Sequence, residues 1–199
     1  MGQPDFAAAQ QYALERLERE LDPRLRYHNL AHTRDDVLPA AERLAAIEGI
    51  GGAELLLLRT AALFHDIGFT VARHEHEQAG VQIMAGVLPQ FGYTPEQIDL
   101  IGTVIMATRL PQTPHSRLAY LLADADLDLL GRTDFLERNR ELHKELQAFG
   151  DQRSDAEWYA NQVEFLARHR YWTTAAQHLR NAQKARNSAL LQALAAGKR

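Results

Sequence analysis

From Ala53 to about Ile67 the chain reads AELLLLRTAALFHDI, apolar nearly all the way round a helix. A helix with no polar face is buried on every side, so this segment predicts a central helix with others packed around it. Candidates for the surround are plentiful. Apolar residues at 6, 9, 13, 14, 17 and 21 carry a helical spacing over Phe6 to Leu21 that Pro23 stops. A second helix is expected from about Leu30 to Ile47, ending at the glycines of GIGG, and another over roughly His76 to Leu88. Thr94 reads as an N-cap with Pro95 at the first helical position, opening a helix that lasts to about Met106. Further helices are expected at Arg117 to Leu130, Asp134 to Phe149, Ala156 to His169 and Thr174 to Leu194, with Gly131 and Gly150 marking ends. Alternating β-branched runs are absent, as are repeats and low-complexity linkers, so the expectation is one all-α domain, a single-domain helical bundle.

Composition narrows the chemistry such a bundle can perform. The 199 residues include no cysteine, which excludes a disulfide scaffold and a thiolate zinc finger and leaves His, Asp and Glu as the available metal ligands. With 22 basic against 26 acidic side chains, the net charge of -4 gives no basis for binding nucleic-acid polymers or an anionic membrane. Nineteen of the basic residues are Arg, so small phosphates remain suitable partners. MGQPDFAAAQ lacks the basic flank and apolar stretch of a signal peptide, and Leu55 to Leu58 is typical of the short apolar runs; a cytoplasmic location is expected.

Nine histidines then raise the question of where they fall. His28 and His32, in YHNLAHTRDD, sit four apart at a predicted helix start and can face one pocket. His65 and Asp66 end the most hydrophobic helix, where an unpaired carboxylate costs several kcal/mol or more if desolvated (roughly, by transfer scales). In YLLADADLDLLG three carboxylates interrupt an apolar helix; Asp124 and Asp128 lie one turn apart, and Asp126 points elsewhere. Imidazoles and carboxylates without thiolates suit a divalent ion, Zn, Mn, Fe, Co or Ni, with Mg at a carboxylate-rich position. Arg109, after VIMAT, and Arg73, in the loop after the His-Asp pair, are the candidates for binding phosphate charge. His143, His169 and His178 lie in amphipathic helices and read as structural, and Asp126 and Asp128 as capping, salt-bridged or supporting groups.

An upstream His, a His-Asp pair in a buried helix and a downstream Asp resemble the HD superfamily of metal-dependent phosphohydrolases, over about Tyr27 to Gly131. The resemblance implies an HD core at about 27–131 with a C-terminal helical buttress at about 132–199. It also implies metal ligands at His32, His65, Asp66 and Asp124, with Asp66 bridging where two ions bind. YHNLAHTRDDV is similar to the opening motif of cyclic nucleotide phosphodiesterases, which implies His28 as proton donor. Relatives often carry a His-Glu reaching the site, which His76 and Glu77 match, beside His74 and Glu75. Members with extra histidine ligands have one near 107–110, whereas this chain has Thr108 and its next His at 115, so one ion is expected, or a second held by Asp66 and waters. The implied activity is hydrolysis of a small phosphate ester, a nucleotide or cyclic nucleotide, by a chain that leaves homo-oligomers open. Two alternatives stay open: a di-iron oxygenase on the same fold, and a nucleotide-binding regulatory domain.

Overall fold

The computed structural model describes residues 3–197. They are helical and contain no strand among the described residues, which is the all-α class. The chain divides into two compact units: the stretch ending at Asp22 together with His28–Asp126, and Pro23–Tyr27 together with Leu127–Arg199. The sequence-based division of one domain into core and buttress sets the change near 131; in the structure it falls after Asp126, and five residues upstream of His28 join the C-terminal unit.

In the first unit, α1 (Phe6–Glu20) is capped by the Asp5 carboxylate, which accepts from Ala8 N, and buries Ala9, Ala13 and Leu17. The helix opening at Leu30 widens into a π turn over His32–Val37, where Leu38 N donates to Thr33 O, and then continues as α2 (Leu38–Ile47). Pro39 at the start of α2 has no N–H and its ring crowds the preceding turn, so an ordinary α-helical ladder could not run through it undistorted. The third helix, α3 (Gly52–Phe64), buries an unbroken run from Thr60 to Phe64 and packs on α1 and α2. This is the central helix the sequence predicts, but it ends at Phe64, not at Ile67. Asp66 leaves the helical region (φ -103°, ψ 3°) and a 3-10 turn follows over Ile67–Thr70.

Two further helices, α4 (His76–Val87) and α5 (Pro95–Met106), pack on one another, and α5 starts in a capping box between Thr94 and Gln97. The helix expected at 117–130 is shorter: α6 (Arg117–Asp126) stops at Leu127, and Asp128–Gly131 form a separate 3-10 turn. The C-terminal unit contains α7 (Phe135–Ala148), α8 (Asp155–Arg168) and α9 (Thr174–Ala195). Two of its buried polar groups are partnered side chain to side chain. The Trp158 indole donates to Asn139 Oδ1 at 2.8 Å, and Arg180 donates twice to Asp128, at 2.7 Å each.

Candidate metal centre

Three structural breaks bring the polar residues of the first unit together. The end of α3 presents His65 and Asp66, the π turn presents His32, and the last residue of α6 is Asp126. The side-chain atoms of His32, His65 and Asp66 that could hold an ion lie within 4.8 Å of one another, and all three residues are buried. His65 Nε2 is 3.3 Å from Asp66 Oδ2 and 3.6 Å from Asp126 Oδ1. His32 Nε2 is 3.4 Å from Asp126 Oδ1 and 3.7 Å from Asp66 Oδ2.

Asp126, expected to point elsewhere, has its carboxylate beside the imidazoles. Residues two apart on a helix point roughly 200° from each other, so a helix that aims Asp126 at the imidazoles turns Asp124 away from them. Asp124 is fully buried. Asp128, taken as one turn beyond Asp124, lies past the break at Leu127 and is held by Arg180. The sequence offered no way to choose: α6 is buried from Leu118 through Ala125 except at Tyr120, so neither face carries the polar mark that fixes helix orientation.

Electrostatics explain what the cluster lacks. Burial would raise the Asp66 carboxyl, but His65, His76 and His28 hold it well below the ordinary carboxylate range. Burial acts likewise on Asp126, where His32 and His65 prevail and bring it to about 2. Burial would depress both imidazoles; Asp66 and Asp126 overcome it at His65, which is raised well above its ordinary value, and Asp126, Asp36 and Asp66 raise His32. Each carboxylate therefore draws positive charge into a space with no lysine or arginine among these causes. His65 Nδ1 donates to the Ala62 carbonyl at 2.8 Å, which leaves Nε2 as the free ring nitrogen. That Nε2 and Asp66 Oδ2 are both buried without a hydrogen-bond partner. Buried polar atoms are almost always satisfied, so two orphans 3.3 Å apart, one nitrogen and one carboxylate oxygen, fit a cation that coordinates both.

The other sequence candidates fall around this group. His28 meets His32 edge-on, with ring centroids 5.8 Å apart. His76 Nε2 is 3.5 Å from Asp66 Oδ1 and 3.5 Å from Glu77 Oε1; against burial, Asp66 and Glu77 raise its pKa. Both follow Glu75, whose left-handed backbone (φ 56°) opens α4 and is uncommon for a residue with a Cβ. Arg109 is half exposed and pairs with Glu75 at 3.3 Å, and Arg73 is half-buried in the connecting loop. Two neighbours went unnoticed in the sequence: Asp36, 3.9 Å from His32 Nδ1, and Phe69, which contacts both His28 and His76. Asp36 had a signal, its i,i+4 spacing from His32.

Residues 32–129 match the family model described as HD domain, and the chain is an HD-domain protein. That family consists mostly of metal-dependent phosphohydrolases, and the match spans every residue of the cluster. No curated protein and no solved structure matches the chain. Among the described residues no helix is long and apolar enough to cross a membrane.

Proposed function

We propose that this protein is a metal-dependent phosphohydrolase that cleaves a small phosphate ester, with nucleotides and cyclic nucleotides as the substrate class. The observation that carries the reading is the pair of orphaned atoms, His65 Nε2 and Asp66 Oδ2, within a buried group of two imidazoles and two carboxylates. His32, His65, Asp66 and Asp126 would hold a divalent ion, Mn, Mg, Co, Ni, Zn or Fe by their donor types. Such an ion supplies charge neutralisation for the phosphoryl oxygens and acidifies water for attack.

The chain's own residues cover the remaining needs. His28 stands beside His32, ring edge to ring, and would deliver a proton from one of its ring nitrogens to the leaving oxygen. His76 Nε2 faces Asp66 Oδ1 and Glu77 Oε1, both of which raise its pKa, and would serve as a second proton source. Asp66 turns Oδ2 toward His65 and Oδ1 toward His76, and a second ion would be held by Asp66 and waters. Arg73 and Arg109 are the basic residues for the remaining phosphate charge, Arg109 by exchanging Glu75 for substrate.

The test is elemental analysis of protein purified without chelator, followed by phosphate release from nucleoside mono-, tri- and cyclic phosphates with added Mn, Mg, Co or Ni. Stoichiometric metal with turnover of one class supports the reading. Metal without turnover of any ester would leave a binding domain, and two irons with oxygen-dependent turnover would make it an oxygenase.

A further inference from the structure

The rings of His28, Phe69 and His76 form a triangle with centroid separations of 4.7 Å from His28 to Phe69, 3.8 Å from Phe69 to His76 and 6.4 Å between the imidazoles. Phe69 lies nearly parallel to both, at 28° and 19°. A ring at 3.8 Å is in van der Waals contact over its face, so each imidazole loses the freedom to swing toward the other.

Phe69 is itself held on both sides. Its 3-10 turn, Ile67–Thr70, is so close to α4 that a Cβ on Gly68 would run into the carbonyl oxygen of His76, the residue that Phe69 stacks upon. At the far end of the turn Thr70 donates to the Ile67 carbonyl at 2.7 Å and accepts from Arg16 Nε of α1 at 3.2 Å. Arg16 is fixed in turn by the Tyr12 hydroxyl at 3.0 Å and Glu20 at 3.0 Å. A side chain serving only to fill the core would not need its backbone clamped between two helices while its ring faces two histidines.

We propose that Phe69 is a positioning residue that sets the separation and tilt of His28 and His76, and thereby the line along which a proton reaches the leaving oxygen. This rests on the hydrolase reading above. It assigns to Phe69 no contact with substrate or metal, so its loss acts on kcat and leaves metal content and KM in place.

The experiment compares Phe69→Leu and Phe69→Tyr with the unaltered full-length chain. Phe69→Leu keeps an apolar side chain without a ring; Phe69→Tyr keeps the ring. Metal content of each is measured first. The kcat for an alkyl phosphate ester is expected to fall roughly 10- to 100-fold in Phe69→Leu with KM within about twofold, to shrink toward no deficit with a nitrophenyl ester, and to recover largely in Phe69→Tyr. The second readout is independent of turnover. In the metal-free protein the Phe69 ring displaces the imidazole C–H proton resonances of His28 and His76; both displacements are expected to vanish in Phe69→Leu and to persist in Phe69→Tyr. Unmoved resonances, or equal kcat deficits for the alkyl and nitrophenyl esters, would overturn the proposal. If the unaltered chain hydrolyses no phosphate ester, the hydrolase reading falls, and the resonances alone decide whether Phe69 positions the two rings.

Discussion

Asp126 and Asp128 are two residues apart and both sit in apolar surroundings, yet they belong to different units and meet opposite fates. Asp128 receives two guanidinium hydrogen bonds from Arg180, a bidentate pair that leaves nothing to be supplied. Asp126 faces only imidazoles, at 3.4 and 3.6 Å. Two histidines, one buried and one half-buried, also differ in what surrounds them. His65 stands against carboxylates that raise its pKa, whereas burial and Lys184 lower His169 to about 3. His169 packs edge-on against Tyr171 and its backbone carbonyl accepts from Lys184. A buried carboxylate completed by a guanidinium within the chain marks architecture, and one left facing imidazoles marks chemistry.

The largest expected break is Asp66→Ala, which should abolish stoichiometric metal binding and turnover together; metal content equal to that of the unaltered protein would remove Asp66 from the centre. Asp126→Asn should also lose metal, while Asp124→Asn keeps it. Asp128→Asn should keep metal too and instead lower the unfolding free energy, by about 3–5 kcal/mol if Arg180 finds no substitute partner. Denaturation midpoints and elemental analysis of the three carboxamides separate these outcomes, and metal loss in Asp124→Asn would return that residue to the ligand set.

A smaller effect is expected at His28. His28→Asn should retain metal and lose roughly 10²- to 10⁴-fold in kcat for a poor leaving group, with the deficit shrinking for a nitrophenyl ester. Parallel loss of metal and activity would make it a ligand.

The last effect concerns pH and falls on stability alone. For His169 the folded value lies below the unfolded 6.5, so between pH 6.5 and about 3 the unfolded chain binds a proton the folded one does not. Stability is therefore lost as pH falls through that window, by at most about 1.4 kcal/mol per pH unit from this group. His65 has the opposite sign: in metal-free protein its contribution is complete below 6.5 and is lost as pH rises through its raised folded value. Urea titrations across pH should show His169→Phe flattening the acid limb alone; an unchanged acid limb would take His169 out of the account.

The same distinction explains which parts of the molecule were legible in the sequence. Helical periodicity marked most of the elements, because amphipathic helices advertise their buried face, and the apolar run at 53–67 identified the central one. His32, His65 and Asp66 stood out because polar residues in an apolar setting need a reason. Helix ends were less visible: Phe64 and Asp126 end helices that local composition would have continued, since tertiary packing overrode propensity there. Asp124 and Asp126 were hard to tell apart for a related reason, a helix buried on both faces. Phe69 carried no signal at all, because an aromatic in HDIGF reads as core until its neighbours in space are known.

The π turn at His32–Val37 amounts to a single-residue insertion stored inside a helix. One extra residue per turn shifts the register of everything beyond it by about 100°. The start of the turn carries His32 toward the cluster; downstream, Leu38, Ala41, Leu44 and Ala45 face the core. A lineage that deleted one residue from HTRDDV would regain a regular helix and, in the same event, swing one of those two faces out of place. Length is therefore as constrained as identity in this stretch, and gaps in it should be rarer among descendants of this chain than substitutions at its exposed positions, Arg34 and Asp35.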